Sequence, residues 1–153
     1  VMLAVGDPAR YQEIVFCGYG EPTVRLDVVT EAGRRLRAAG ARVRLDTNGH
    51  GSLIWNRNIV PELSAAVDAV SVSLNASDAA AYEALCRPRF GPKTFDHVVA
   101  FIRECRKAGI ETAVSAVDAP GVDIGKVRTL AASLDVPLRV RGAGVARRTS
   151  GPR

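Results

Sequence analysis

The segment VFCGYGEPT, residues 15–23, runs from apolar and aromatic residues into two glycines, a carboxylate and a proline. Val15 and Phe16 are of the β-branched and aromatic types that favour a buried strand. Glycines at the end of such a strand let the backbone approach a ligand without an intervening Cβ. Glu21, followed by Pro22, then offers a carboxylate to a cationic partner such as an ammonium group. The segment therefore predicts a strand that ends in a ligand-binding loop.

Outward from this segment, short apolar runs alternate with longer segments of helical period, which is typical of parallel strands joined by helices. The predicted strands are residues 13–18, 42–49, 69–76, 110–117 and 137–141. The predicted helices are residues 26–40, 60–68, 77–86, 94–109 and 123–135. Ser77 or Asp78 is expected to cap the third helix and Thr94 to open the fourth, while Pro61 suits the first turn of the second.

Five strand–helix units suit either an open doubly wound sheet or part of a barrel. The chain has 153 residues, whereas a complete eight-unit barrel needs about 250. We therefore predict one α/β domain over residues 1–141, a partial TIM barrel or an open sheet with parallel strands. Residues 142–153 form a basic tail that is expected to be flexible.

The composition excludes several classes of protein. No apolar run reaches the roughly 18 residues of a membrane span, and no basic-then-apolar leader opens the chain, which predicts a cytoplasmic protein. The net charge is +5, but most basic residues alternate with acids along the predicted helices. A nucleic-acid partner is therefore not expected, although the basic tail offers an alternative that a steep salt dependence of binding would reveal.

The three cysteines, Cys17, Cys86 and Cys105, are widely spaced and odd in number. They argue against a disulfide framework, and no CxxC metal spacing is present. Cys17 falls in a predicted strand and Cys105 in an amphipathic helix, so both are expected to be small buried apolar residues. Cys86 is the least certain of the three.

Polar residues cluster at the carboxyl ends of the predicted strands, where ligands of parallel sheets bind. Ser71, Ser73 and Asn75 share one face of the third strand, and Asn48 follows the second strand. Taken singly, each has a simpler explanation: Asn48 begins a turn signal, and the serines can hydrogen-bond neighbouring backbone. Their joint placement at successive strand ends suits a small ligand with an amino-acid end and a sugar end.

Several segments together resemble one family. GYGEP (18–22), DTNG (46–49) and SVSLNA (71–76) are similar to landmarks of the radical S-adenosylmethionine (SAM) superfamily. With LCRPRFG (85–91), PGVDI (120–124) and LRVR (138–141), the chain more narrowly resembles the radical SAM proteins associated with TatD-type nucleases. The resemblance covers about residues 6–141 and implies a partial TIM barrel that lacks the first strand–helix unit of the radical SAM core.

The resemblance also implies a cofactor site. Gly18, Tyr19, Gly20 and Glu21, with Pro22, would hold the methionine amino group of SAM. The ribose would contact Ser73 and Asn75, with Asn48 lining the same cavity, and Val117 and Val140 are candidates for packing against adenine. Arg87, Arg139 and Arg141 are the candidates for binding an anionic substrate or the cofactor carboxylate, and a surface salt bridge is the alternative for Arg87.

The CxxxCxxC motif that holds the cluster in this family is absent, and Cys17, Cys86 and Cys105 do not supply it. The expectation is that the cluster segment precedes Val1 in a longer protein. That complete protein would cleave SAM reductively at a [4Fe–4S] cluster to make a 5′-deoxyadenosyl radical. It would receive electrons from a donor such as flavodoxin or ferredoxin and act on an unknown small-molecule or macromolecular substrate. Without three thiolates no such cluster forms, so the printed chain is expected to be inactive.

Two other functions remain open. One is a non-catalytic, degenerate barrel that binds SAM or another nucleotide. The other is an ordinary barrel enzyme that uses Glu21 or Asp46 as acid or base, without help from His50 and His97, which are expected to face solvent. Because the partial barrel lacks its first strand, the strand at residues 13–18 is expected to have an unpaired edge, through which the chain would dimerise or aggregate.

Overall fold

The computed structural model describes residues 1–142, and residues 143–153 lie outside the described part. The strands are β1 Ile14–Phe16, β2 Val43–Thr47, β3 Ala69–Ser73, β4 Glu111–Asp118 and β5 Leu138–Gly142. The helices are α1 Met2–Val5, α2 Leu26–Ala38, α3 Gly51–Ile54, α4 Val60–Ser64, α5 Ala79–Cys86, α6 Thr94–Lys107 and α7 Ile124–Ser133. Short 3-10 turns cover Pro8–Arg10 and Pro22–Arg25. Of the tail predicted at 142–153, only Gly142 is described, as the end of β5.

The five strands form one parallel sheet in the order β1-β2-β3-β4-β5. Right-handed crossovers between successive neighbours place every connecting helix on the same side of the sheet. A doubly wound sheet would instead reverse its strand order and carry helices on both faces. The sequential order therefore decides between the two architectures in favour of a partial barrel. The barrel is not closed, because β1 and β5 each pair with one neighbour only within residues 1–142.

One face of the sheet packs against the helices and forms the core. Its strand members are fully buried aliphatic side chains at alternate positions, namely Val43, Leu45, Val70, Val72, Val114 and Ala116. Helices α2, α6 and α7 contribute their apolar faces, for example through Leu36, Ile102 and Val127. This alternation is the period of two that a strand imposes on its side chains. None of the helices in the described part has the length and hydrophobicity that a membrane span requires.

The opposite face, here called the open face, carries small and polar side chains. By alternation and register it presents Val15, Arg44, Asp46, Ala69, Ser71, Ser73, Ala113, Ser115, Val117, Arg139 and Arg141. Not one of these residues belongs to the hydrophobic core cluster. The open face therefore corresponds to the inner surface of a barrel wall, toward which the barrel would close.

Ion pairs run along the open face from its amino-terminal end to Asp46, near the carboxyl end of β2. Arg44 pairs with Glu13, at 2.8 Å, and with Asp46. Arg42, just before β2, pairs with Glu111 at 2.5 Å and with Glu13 at 3.4 Å. Because carboxylates and guanidiniums neutralise each other in these pairs, the unpaired charges of the open face within residues 1–142 are those of Arg139 and Arg141 on β5.

The predicted helix starts are confirmed, although one of them lacks a side-chain cap. Asp78 caps α5 by accepting from the backbone N–H of Ala81, at 2.9 Å, and Pro61 lies in the first turn of α4, as predicted. Thr94 is the first residue of α6 but does not cap it. Its hydroxyl donates instead to the carbonyl of Gly91, at 2.6 Å, because the chain enters the helix through a turn.

Of the two cysteines that were predicted to be buried, one is buried and the other is exposed. Cys105 is fully buried, as expected of a small apolar residue, and burial raises the pKa of its thiol to about 12. The prediction for Cys17 is wrong, because β1 ends at Phe16 and Cys17 is exposed on the loop that follows. Cys86 is exposed at the end of α5.

Candidate active site

The loops at the carboxyl ends of the strands enclose a cavity of about 370 Å³, here called the glycine-loop cavity. Its lining comprises residues 17–22 and 46–48, with Ser73 and Arg141. The volume lies within the usual range for small-molecule sites, roughly 300–1,000 Å³. Most of the residues predicted for a cofactor site therefore meet around one hollow, as the barrel rule requires.

The carboxylate of Glu21 anchors the glycine loop. One oxygen accepts from the backbone N–H and the hydroxyl of Thr23, at 3.1 and 2.7 Å, and from the hydroxyl of Thr47, at 2.6 Å. The other accepts from the backbone N–H of Asn48, at 2.7 Å. Each oxygen of an ionised carboxylate accepts about two hydrogen bonds, so the first oxygen is fully occupied and the second has room for one more. Thr23 and Thr47 are site residues that the sequence analysis missed.

Neither the packing of the protein nor the backbone conformation requires glycine at positions 18 and 20. A Cβ at Gly20 would meet nothing within 4 Å, and one at Gly18 would meet only the backbone of Gly20, at 3.7 Å. Neither has a positive φ. By contrast, a Cβ at Gly51 would lie 2.4 Å from Cδ1 of Ile59, so packing alone requires that glycine. The two loop glycines keep the wall of the cavity free for close approach by a ligand.

The Asn48–Gly49 pair forms a turn at the end of β2, with Gly49 at φ +79. The oxygen Oδ1 of Asn48 accepts from the backbone N–H of His50, at 2.9 Å, which fixes the side chain in place. The chain then enters α3 rather than returning as a strand, so this turn does not form a β-hairpin. The side-chain NH2 of Asn48 makes no hydrogen bond within residues 1–142, although the residue lines the cavity.

Three serine hydroxyls on the open face lack internal partners. No hydrogen bond from Ser71, Ser73 or Ser115 to another described residue is present, so the backbone-bonding alternative for Ser71 and Ser73 is wrong. The buried threonines differ, since each bonds within the protein: Thr23 and Thr47 to Glu21, Thr30 to Leu26, Thr94 to Gly91 and Thr112 to Ile110. The serine hydroxyls are therefore available to a ligand.

Asn75 follows β3 in a left-handed conformation, with φ +53. Its Oδ1 accepts from the backbone N–H of Val117, at 3.0 Å, and so extends the pairing of β3 with β4 beyond the end of β3. Asn75 lies at the same edge of the sheet as Glu21, but it does not line the glycine-loop cavity. A ribose contact from Asn75 remains a prediction, and its NH2 group is the part left to make it.

The candidate arginines separate by position. Arg141 lines the glycine-loop cavity, and Arg139 lies two residues earlier on the same face of β5. Arg87 is exposed and ends α5 with φ +44, outside the lining of the cavity, and it forms no salt bridge with another described residue. Val117 shares the open face with the arginines. Val140 alternates with them and points to the helix side, so it does not join Val117 on one surface.

His50 does not face solvent as expected. Its Nε2 lies 2.7 Å from the hydroxyl of Tyr82, and its ring packs edge-on against Tyr82 and Phe90. Burial lowers the pKa of His50, an effect that the nearby carboxylate of Glu21 partly offsets. The pKa of the Tyr82 hydroxyl is raised, mainly by burial. His97 is exposed on α6, in agreement with the prediction.

The described residues do not provide a metal or cluster site. No group of three or more histidine, cysteine, aspartate or glutamate side chains within residues 1–142 comes close enough to hold a metal ion. Cys105 is buried in α6, while Cys17 and Cys86 are exposed on separate elements. Asp46, one candidate acid or base, is paired with Arg44. A [4Fe–4S] cluster therefore does not fit these residues.

Comparisons with known proteins agree with this geometry. The family model described as the Radical SAM superfamily matches residues 2–134. The crystal structure of archaeal TYW1 superposes with a TM-score of 0.64 at 16% sequence identity, over 85% of this chain and 42% of the other. This chain thus spans less than half the length of that structure, and at such identity the likeness shows the fold. A search of curated proteins found no match.

Proposed function

The chain belongs to the radical SAM superfamily, and on that premise we propose that the glycine-loop cavity binds S-adenosylmethionine. The observation that carries the proposal is the pair of glycines, Gly18 and Gly20, which neither packing nor a positive φ requires. A Cβ at either position would reduce the space into which the amino-acid end of the ligand fits. We also propose, from the sequence motifs alone, that the chain is a member of the subgroup associated with TatD-type nucleases.

The polar groups around the cavity suggest how each end of the ligand is held. Glu21 fixes the loop through four hydrogen bonds, and its Oε2, which has room for one more, accepts from the ammonium group together with backbone carbonyls of residues 18–20. Arg141, which forms no salt bridge within residues 1–142, binds the carboxylate. The hydroxyl of Ser73 and the side-chain NH2 groups of Asn48 and Asn75 bind the ribose hydroxyls.

The [4Fe–4S] cluster would be held by residues other than those described. Since the described residues do not fit it, we propose that cysteines outside the printed sequence hold the [4Fe–4S] cluster in a longer protein. Held there, the cluster would supply the electron for reductive cleavage of SAM, the chemistry that gives a 5′-deoxyadenosyl radical, and a cytoplasmic donor such as flavodoxin or ferredoxin would reduce the cluster. The printed residues alone bind SAM without cleaving it.

Titration calorimetry with SAM tests the binding proposal. Gly20→Val is expected to raise the dissociation constant by about tenfold or more, equivalent to about 1.4 kcal/mol, without lowering the melting temperature. Ala38→Val, which adds similar bulk at the exposed end of α2, is the matched control and is expected to bind as the wild type does. Equal affinities in Gly20→Val and the wild type would show that SAM, if bound, lies elsewhere.

The competing function is a nucleotide-binding module without catalysis, and the scattered cysteines favour it for the printed residues. The genomic frame upstream of Val1 discriminates the two. A CxxxCxxC motif encoded within about one strand–helix unit supports the enzyme. If such a motif is encoded, anaerobic reconstitution of the longer protein is expected to give iron–sulfur absorbance. Absence of the motif upstream supports the binding module.

A further inference from the structure

We propose that the open face carries a second subsite, built by Arg139 and the hydroxyls of Ser73 and Ser115, that binds an oxyanion of the substrate. Its assignment to the substrate rests on the proposed function, because SAM occupies the adjoining glycine-loop cavity in that account. The chemistry of the subsite, a guanidinium beside two hydroxyl donors, suits a phosphate or a carboxylate.

The strand register brings the three residues into one row. Ser73 of β3 is the partner of Ser115 of β4, and Ser115 is the partner of Arg139 of β5. Adjacent strands lie about 4.8 Å apart, so the row spans about 10 Å across the sheet. Ser73 also lines the glycine-loop cavity, where its oxygen would accept from a ribose hydroxyl of SAM while its O–H donates to the oxyanion. The row therefore leads directly from the proposed cofactor to Arg139.

The hydroxyl groups of the row are free to donate. Ser115 is only 4% exposed, yet no hydrogen bond to its hydroxyl is present in the described part of the chain. Every fully buried side-chain nitrogen or oxygen there has a partner, so the Ser115 hydroxyl must reach solvent through the open face. It is therefore free to donate to an oxyanion bound on that face.

The charges along the open face favour an anion at this end. Glu13 and Glu111 at the amino-terminal end of the open face, and Asp46 beside the glycine-loop cavity, are each paired with Arg42 or Arg44. Arg139 and Arg141, at the carboxyl end, form no salt bridge within residues 1–142. The guanidinium of Arg139 therefore has no internal carboxylate to compete with a ligand, and Arg141 next to it adds to the positive potential.

Heteronuclear NMR of the 15N-labelled chain, titrated separately with inorganic phosphate and with acetate, tests the proposal. We expect saturable shifts of the Ser115 and Arg139 amide signals with at least one of the two anions, and the pair of titrations tells which. Arg139→Gln is expected to weaken that binding by about tenfold or more. Arg128→Gln removes the same charge from the exposed side of α7 and is expected to leave the affinity within about twofold.

Absence of saturable shifts with both anions overturns the proposal, as does an unchanged affinity in Arg139→Gln. If Arg139→Gln loses amide dispersion, Ser115→Ala takes its place, with a weaker affinity expected and an unchanged affinity contradicting the subsite. A SAM titration of the same samples separates the two proposals. Binding of SAM without anion binding leaves the cofactor site standing and removes the subsite. The reverse result keeps an anion site at Arg139 but removes the cofactor site and, with it, the assignment of the anion to the substrate.

Discussion

The carboxylate of Glu21 accepts a hydrogen bond from the backbone N–H of Asn48, at 2.7 Å. That contact joins two loops that are 27 residues apart in sequence, the glycine loop after β1 and the turn after β2. The other carboxylate oxygen bonds the hydroxyl of Thr47, at 2.6 Å, at the end of β2. Glu21, which the sequence analysis predicted to bind a cation, therefore also joins the two loops that form the cavity.

Glu21→Gln is expected to destabilise the fold. Whichever way the amide is turned, its NH2 group faces a backbone N–H, either that of Asn48 or that of Thr23, and that donor loses its acceptor. An unsatisfied donor costs about 2 kcal/mol, to be read from urea denaturation. Glu31→Gln on the exposed surface of α2 is the control, because its pair with Arg35 is worth less than about 1 kcal/mol. Equal stability of both variants would contradict the anchoring role.

Gly33→Ala is expected to destabilise the fold although alanine is the better helix former by about 1 kcal/mol. A Cβ at Gly33 would lie 2.4 Å from the carbonyl oxygen of Ala66, a backbone atom that has little freedom to move. Overpacking of this kind costs about 1–3 kcal/mol. Gly125→Ala in α7, where the nearest atom is a side-chain oxygen at 3.3 Å, is the control. A rise in the melting temperature of Gly33→Ala would show that α2 does not pack there so closely.

The strands were predicted correctly because the face that packs against the helices leaves a clear pattern of apolar residues in the sequence. The alternation of Val70, Val72 and Leu74 with Ser71 and Ser73 has the period of a strand, and burial follows it in the structure. The order of the strands was not readable, since doubly wound and barrel sheets share the same strand–helix pattern. The strand order is determined by which strands pair with each other, and the periodicity of a single segment contains no information on that pairing.

The errors in the site have long-range causes. His50 was expected in solvent, but Tyr82, 32 residues later in α5, packs over it. Cys17 was expected inside a strand, but pairing with β2 stops at Phe16. The Thr47 contact of Glu21 was also out of reach, because only folding brings the ends of β1 and β2 together. Local patterns carry no information on such pairs.

The pH dependence of stability is expected to carry a contribution from His50. Burial lowers its pKa in the folded state, so the unfolded chain takes up the proton first, near pH 6.5. Stability is therefore lost as the pH falls below about 6.5, because the unfolded state binds more protons. His50→Gln keeps a hydrogen-bonding group near Tyr82 but does not titrate, so urea denaturation should show a smaller loss between pH 7 and pH 5. His97→Gln is the control, and an unchanged loss in His50→Gln would rule out the buried imidazole as its source.

The open edge of β1 is expected to promote self-association. The N–H of Ile14 bonds the carbonyl of Arg42, at 2.9 Å, so by alternation the N–H of Val15 points away from β2 and remains unpaired within the described residues. Val15→Pro removes that donor and leaves the pairing with β2 intact. Sedimentation at rising concentration should show dimers or larger species in the wild type and fewer in Val15→Pro. A wild type that stays monomeric, or a variant that associates equally, would contradict this edge as the interface.

The exposure of Cys17 permits the most direct test of the central claim, that SAM binds in the glycine-loop cavity. Cys17 lines the cavity, Cys86 is exposed elsewhere, and Cys105 is buried with its pKa raised to about 12. Iodoacetamide alkylation of the native chain, followed residue by residue by mass spectrometry with and without saturating SAM, compares the two exposed thiols in one sample. Alkylation of Cys17 should slow in the presence of SAM while that of Cys86 keeps its rate. An unchanged Cys17 rate, or equal slowing at both thiols, would contradict binding in this cavity.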